Sequence, residues 1–423
     1  MEQTTRDDVT ETRHIAAFPP ARTLVISRDA HAEARKSPRF PGLEGATAQI
    51  LRGRNDILAR RPLLDRLAAN FGQPLALSQL EYFLTLPWAL KKIPHLVMIS
   101  SLPSSSVPVS SPATRSRTLL PRFPVSSILG AVLVQEYAVA GIGTGIFATD
   151  DTSGVPTVLA HQGMGPQIAM LAASALVQHR AEMVLISCRA DSSHPVEIDE
   201  RPPVAIAGSR WATPWREVRD ELPLRETYDE TLSTLGKHTR RNLRYYRWRA
   251  EKELEVEFIA HAQGCIRESD FLNLNLNSTH PVTQQEASRR FNSMDILNGG
   301  FLAGLRRPNG EWLSIAGGWH QDDRCWIEWQ LNRGGLQQYS VSTAMRSYML
   351  ETFIARKTRF LTFLGGTPHS MSESFTPRWV VDVVLRRQSL AAKLVKSVAK
   401  RTFRADNRLR KALTDPDLQW TAG

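Results

Sequence analysis

A run of arginines and one glutamate set between tryptophans are the residues of this chain best suited to chemistry. In residues 231–258, TLSTLGKHTRRNLRYYRWRAEKELEVEF, seven basic residues and the single acid Glu251 fall between Lys237 and Lys252, a local charge of +6. At about 100° per residue Lys237, Arg240, Arg244 and Arg247 share one arc of a helix. Leu235, Thr239, Leu243, Tyr246 and Ala250 share the adjoining arc, so a packed face lies beside a cationic ridge. Arginine forks match phosphate oxygens in paired hydrogen bonds, and such a ridge suits an anion; a solvated charged face is the alternative. Farther on, Cys325-Trp326-Ile327-Glu328-Trp329-Gln330-Leu331 alternates as a strand, with Cys325, Ile327, Trp329 and Leu331 on one face and Trp326, Glu328 and Gln330 on the other. A carboxylate beside tryptophans is a candidate for a raised pKa and for general-base work; pairing with an arginine of the basic helix is the alternative. His320, ending Gly317-Gly318-Trp319-His320, is a second candidate, set against a histidine that only hydrogen-bonds at a strand end.

These groups need elements to hold them, and the composition says how many are available. A chain of 423 residues, 42% hydrophobic and 22% charged, has room for two domains with cores of their own. The net charge of +11 is concentrated in the helix above and in 386–411, where ten basic residues face Asp406, so the remainder sums to −4. Such a distribution lacks the uniform basicity of a protein that coats nucleic acid, and no nucleic-acid partner is expected. Cys188, Cys265 and Cys325 are odd in number and far apart, which suits buried thiols in a reducing compartment. No metal-ligand spacing, nucleophile elbow or Walker loop stands out. The polar N-terminus and the charged, proline-broken segment 77–99 predict a cytoplasmic protein without a membrane span.

Along the chain, 1–20 reads as a disordered N-terminus, followed by a first domain over 21–200. Within it, 22–27 and 95–100 are strand-like, 55–70 and 78–90 have helical spacing, and 101–127 is a serine- and proline-rich loop. Segments 128–137 and 139–149 are strands, the latter broken by Gly141, Gly143 and Gly145, which predict a bend or bulge. Gly163-Met164-Gly165 leads into a helix over 167–180 and a buried strand over 183–188. A second domain over 201–386 repeats this outline: helix 284–294, an antiparallel meander over 301–306, 312–319 and 324–331, a helix from Ser340 or Ser342 to Arg356, then strands at 358–363 and 380–386. The tail, 387–423, carries an amphipathic cationic helix over 388–411 whose Lys393, Lys396, Lys400 and Arg401 suit an anionic membrane surface, or solvent if the helix docks on its own domain.

The run Leu235-Gly236-Lys237-His238-Thr239-Arg240-Arg241-Asn242-Leu243-Arg244 resembles the L-x-K-x-x-R-x-N-x-R helix of large two-domain GNAT-type acyltransferases. These are the CelD-like branch linked to cellulose biosynthesis, distant relatives of the Fem aminoacyltransferases. The resemblance is strongest over about 200–390 and implies an α/β (α+β) chain of two tandem GNAT-like domains. Each would be a mixed, mostly antiparallel sheet flanked by helices. It also implies an N-acyltransferase that uses acetyl-CoA or another acyl-CoA and no metal. The acceptor would be an amine on an amino sugar, polysaccharide or cell-envelope precursor. On this basis the free amides of Val341, Ser342 and Thr343 would face the donor's phosphates, with Arg240, Arg244 and Arg247 as further anion ligands at a cleft between the domains. Glu328 or His320 would be the base and Tyr339 the acid. The chain departs from the family pattern in lacking its glycine signature, in Thr362 where an Asp is usual, and in Ser374-Phe375 where Tyr-Lys is usual. Two alternatives therefore stand beside catalysis: a non-catalytic GNAT-like binding subunit of a polysaccharide assembly system, and a Fem-like transferase using charged tRNA. The second lacks the long heptad arm of its kind.

Overall fold

The computed structural model describes residues 22–25, 46–73, 79–85, 92–101, 127–139, 141–149, 157–189, 208–364, 370–389, 409, 411 and 421–422. The expected N-terminal disorder, the loop between Ser101 and Ser127, and the cationic helix over 388–411 apart from a few residues lie outside these.

The first half comprises β1 (Arg22–Val25), β2 (Thr47–Arg52), α1 (Arg54–Leu58), α2 (Arg61–Asn70), α3 (Leu80–Thr85), β3 (Lys92–Ser100), β4 (Ile128–Val139), β5 (Ile142–Ala148), β6 (Val158–Ala160), α4 (Gly165–His179) and β7 (Met183–Arg189). The second runs β8 (Ser209–Ala212), β9 (Trp215–Pro223), α5 (Tyr228–Thr234), α6 (Lys237–Glu253), β10 (Glu257–Ile259), α7 (Glu268–Leu276), α8 (Gln284–Ser293), β11 (Gly300–Arg306), β12 (Trp312–Gln321), β13 (Arg324–Asn332), α9 (Val341–Ala355), β14 (Phe360–Phe363) and β15 (Thr376–Arg387).

The fold is mixed α/β, as expected: a mostly antiparallel sheet with helices on both faces. In each half an antiparallel meander passes through one crossover helix into a parallel strand. β5 and β7 pair in parallel across α4, and β13 and β14 pair in parallel across α9. What the sequence did not disclose is that the halves share a single hydrogen-bonded sheet, in the order β1-β2-β3-β4-β5-β7-β15-β9-β14-β13-β12-β11-β10. The join is β15, which pairs antiparallel with β7 of the first half and with β9 of the second. Charge reinforces it: Ser187 on β7 donates to Asp382 on β15 at 2.6 Å, and Arg216 on β9 reaches the other oxygen of Asp382 at 3.1 Å.

The larger cores among the described residues follow from this layering. α4 is apolar all round, with Ile168 through Val177 buried, and packs on one face of the first half. α1, α2 and α3 cover its other face. In the second half α6 and α9 pack on one face through Leu243, Ala250, Ala344, Met345 and Leu350. α7 and α8 cover the opposite face through Phe271, Leu274 and Ala287.

Some expected boundaries move for local reasons. The helix expected over 55–70 is two helices, because Pro62 sits in the first turn of α2 and has no N–H to carry a preceding helix through. After α6 ends at Glu253, β10 begins only at Glu257. Glu255 adopts φ 52°, and Val256 still donates to the Ala250 carbonyl at 3.4 Å. The glycines of 141–145 do mark a bulge, where the register shifts between Glu136 and Ala138. A side chain at Gly143 would occupy the space of the buried Glu136 carboxylate, which accepts from the Gly145 N–H at 3.1 Å and from Arg180.

Candidate active site at the mouth of the second crossover

Parallel strands joined by a helix leave a crevice beyond the carboxyl end of the shorter one, and ligands of open α/β sheets bind there. In the second half this crevice lies between β13 and β14. Their pairing ends at Ile327 and Phe363, and the Leu364 N–H closes it on the Ile327 carbonyl at 2.9 Å. β13 continues to Asn332, without a strand partner on that side among the described residues.

Glu328 is the first residue past the closure, and it is a bulge. Gly317 pairs with Trp329 and Gly318 with Ile327, which leaves Glu328 as the extra residue. An added residue shifts the two-residue period by one, and this overturns the expected alternation. Cys325 and Ile327 face α9, whereas Trp329 and Leu331 belong to the opposite core with Trp319 and Phe271. Glu328 projects to that opposite side, where the Tyr82 hydroxyl donates to its Oε1. Tyr82 belongs to α3 of the first half and is 1% exposed. Burial, and then the charge of Glu328, push its phenol far above the usual tyrosine range, so it stays a donor. Gln79 fixes the approach of α3, donating to the Asn298 carbonyl at 2.9 Å and accepting from the Asn298 N–H at 3.1 Å. Trp319 and Trp326 stack beside this pair with ring centroids 5.6 Å apart. The expected tryptophan neighbourhood of Glu328 is present, and a tyrosine of the first half bonds to it.

On the other side of the sheet α9 begins at the same mouth. Ser340 precedes it with φ 41° and ψ 56°, and no side chain caps the helix. Ser340 and Thr343 bond to each other through their hydroxyls at 2.8 Å. The Thr343 N–H is taken by the Ser340 carbonyl at 2.8 Å, which leaves the N–H groups of Val341 and Ser342 as donors at this helix start. Gln330 ties β13 to the turn, donating to the Ser342 carbonyl at 3.3 Å. One turn into α9, Arg346 lies with its guanidinium 5.8 Å from the Phe363 ring centre. Burial holds its pKa down to about 10, its buried Nε has no hydrogen-bond partner, and it makes no ion pair among the described residues. Arg346 escaped sequence reading because an arginine within an apolar helix shows no distinctive spacing.

Of the other expected site residues, Tyr339 stands two residues before Val341, at the entry to α9. Tyr339 is under the Arg249 guanidinium at 4.8 Å. His320 sits between Phe301 and Phe353, at ring separations of 4.8 and 5.0 Å, with Cys325 Sγ at 3.9 Å. Phe353 is in the last turn of α9, so His320 is at the far end of that helix from Val341. Burial lowers its pKa to about 4. Arg247 packs inward, pairing with Glu251 at 3.1 Å and Glu351 at 2.7 Å and stacking on Tyr348 at 4.3 Å. Arg240 and Arg244 instead line an open hollow with Lys237, Arg241, Tyr245 and Trp248, all from α6. Sequence reading passed over Tyr245 and Trp248; their spacing of three on the cationic side of the helix was the available signal.

No helix of the described residues is long and apolar enough to cross a membrane, and they contain no group of side chains placed to hold a metal ion. No protein-family model matches the chain and no curated protein does. Among solved structures it is similar to L-PGS from Bacillus licheniformis, at 13% identity and TM-score 0.39 over 62% of this chain and 84% of that one. It is also similar to a tandem GNAT protein from the clavulanic acid biosynthesis pathway, at 12% and 0.38 over 81% and 99%. A GCN5-related N-acetyltransferase from Sphaerobacter thermophilus follows at 12% and 0.37 over 80% and 96%. The solved structures it is similar to thus include GNAT-type acetyltransferases, at scores too low to assign a site or a substrate.

Proposed function

We propose that this chain is an N-acyltransferase that moves an acyl group from a CoA thioester to an amine at the mouth between β13 and β14. The observation that carries this reading is the bulged Glu328, placed where β13 outruns β14, with the uncapped start of α9 across the sheet from it. Three parts of the mouth suit three parts of the reaction. The Val341 and Ser342 amides and Arg346 offer positive charge to the donor's phosphates. The free edge of β13 offers backbone groups along which an extended donor arm lies. Glu328 accepts the proton from the amine as its nitrogen bonds to the thioester carbonyl carbon and the carbon–sulfur bond breaks. Tyr82, donating to Glu328, fixes the orientation of the carboxylate. The acceptor implied by the family resemblance is an amine on an amino sugar or other cell-envelope precursor.

Calorimetric titration with acetyl-CoA and longer acyl-CoAs tests the donor, and release of free thiol with amine acceptors tests the reaction. Glu328→Gln is expected to lower kcat by about 10²- to 10⁴-fold, the usual contribution of a general base, with donor binding retained. Absence of heat with every thioester overturns the reading. A second reading is a non-catalytic binding subunit. It is favoured by the Tyr82 hydroxyl already seated on Glu328 and by Tyr339-Ser340-Val341-Ser342 in place of a glycine signature. Thioester binding without turnover by any amine is its expected outcome.

A further inference from the structure

The hollow on α6 is used by no part of the acyl-transfer reading. Lys237, Arg240, Arg241, Arg244, Tyr245 and Trp248 line a shallow, open surface of the helix on the side away from α9, since Thr239, Leu243 and Ala250 take the buried side. Positions 237, 241, 244 and 248 form one stripe of about 16 Å at the helical rise. Lys237 and Arg241 make no ion pair among the described residues. Arg240 donates only to the Ser233 carbonyl at 3.0 Å, and Arg244 pairs with Asp229 at 2.7 Å in solvent. A solvated charged face explains the cations but not the rings. Tyr245 and Trp248 are 44% and 53% exposed, two of the five large hydrophobic side chains exposed among the described residues. Their ring centres are 6.4 Å apart and their planes 32° from parallel, so flat aromatic faces stand at the end of a line of cations.

We propose that this hollow binds single-stranded nucleic acid, with phosphates along Lys237, Arg241 and Arg244 and a base against Trp248 and Tyr245. Cations that follow a backbone beside aromatic platforms are how proteins hold single strands without reading sequence. A helix that enters a lipid surface presents an apolar face, whereas Leu243 and Ala250 of α6 are buried in the protein, and a polyanion without rings has no use for the two aromatics. The balance of the whole chain's charge argued against a nucleic-acid partner; the local geometry of α6 argues for one.

The test is fluorescence anisotropy of labelled single-stranded RNA and DNA of about twelve nucleotides with the full chain, between about 50 and 200 mM salt. Binding is expected to weaken with salt at a log–log slope of about −2 to −3, the value for three to four phosphates. Trp248→Ala is expected to weaken it by about 5- to 150-fold, the worth of one base stacked on a ring. Arg241→Ala is expected to reduce the slope by about 0.7. Both side chains are exposed, and circular dichroism checks that both variants fold. No binding at the lowest salt overturns the proposal. So does equal competition by inorganic polyphosphate with Trp248→Ala unaffected, and so does binding to anionic phosphatidylglycerol vesicles alone. Acyl-CoA titration of Trp248→Ala should match the parent chain, which separates this site from the mouth at Glu328.

Discussion

The two crossovers of this molecule share a topology and differ in what their side chains do at the ends of the parallel strands. In the first half α4 starts directly against β7: a Cβ built on Gly165 would come within 2.5 Å of Cys188 Sγ. The strand mouth is laced shut, as the Ser187 N–H donates to Thr149 Oγ1 at 2.9 Å and Thr157 Oγ1 donates to the Ser187 carbonyl at 3.3 Å. In the second half β13 outruns β14, a bulge turns a carboxylate to the side of Tyr82, and α9 starts on an uncapped left-handed serine. The same β–helix–β unit thus serves as a packed core in one place and a candidate site in the other. The difference rests on a few side chains at the ends of strands.

Acid should separate the halves most strongly. His95 in the first half is buried, with a pKa lowered to about 3, and His320 in the second is lowered to about 4; burial is the main cause of both. Between those values and the unfolded value near 6.5 the unfolded chain binds more protons than the folded one, so stability falls as pH falls through that window. His95 contributes a loss on the order of 4 kcal/mol by pH 3, and the partly exposed His320 less. Glu136, whose carboxyl burial pushes up, takes up a proton more readily when folded and opposes part of the loss as the pH falls toward the ordinary carboxylate range. Denaturant melts at stepped pH should therefore show a steep acid limb that His95→Gln flattens more than His320→Gln does. A limb unchanged by His95→Gln would refute the assignment.

The closed crossover should resist enlargement. Gly165→Val is expected to cost about 1–3 kcal/mol through overpacking against Cys188, measured as a lower denaturant midpoint, whereas Ser342→Val at the open mouth should change stability far less. Equal losses at the two sites would mean that the second mouth is as tightly packed as the first.

A smaller effect is expected where the first half reaches the second. Tyr82→Phe keeps the ring in its core and removes the donor to Glu328, for an expected cost of about 1–2 kcal/mol. A carboxylate that loses a hydrogen bond protonates more easily, so any activity that depends on Glu328 should show its acid limb displaced to higher pH. An unchanged stability and pH profile would mean that the Tyr82 contact is not maintained in solution.

The smallest effect is expected at the start of α9. Ser340→Gly relieves a left-handed residue but loses the bond to Thr343, so stability should change by less than about 1 kcal/mol. A loss of several kcal/mol would show that the serine hydroxyl is structural and not part of an open anion-facing turn.

Much of this was legible in the amino-acid sequence. Apolar periodicity located the meander of β11, β12 and β13, the buried α4 and the packed side of α6, because those signals depend only on neighbours a few residues apart. The glycines before β5's end were readable as a bulge for the same reason, and Glu328 stood out by residue type beside tryptophans. The bulge at Glu328 itself was not legible: it arises from a mismatch in register with β12, and register belongs to a pair of strands. Nor could spacing reveal that β15 would join both halves into one sheet, or that Tyr82, 246 residues before Glu328, would lie against it. Local sequence determined which segments are helix and strand and which faces are apolar. Only the tertiary structure decided where β13 outruns its parallel partner and which carboxylate meets which hydroxyl, because those outcomes depend on contacts between segments that no short-range pattern encodes.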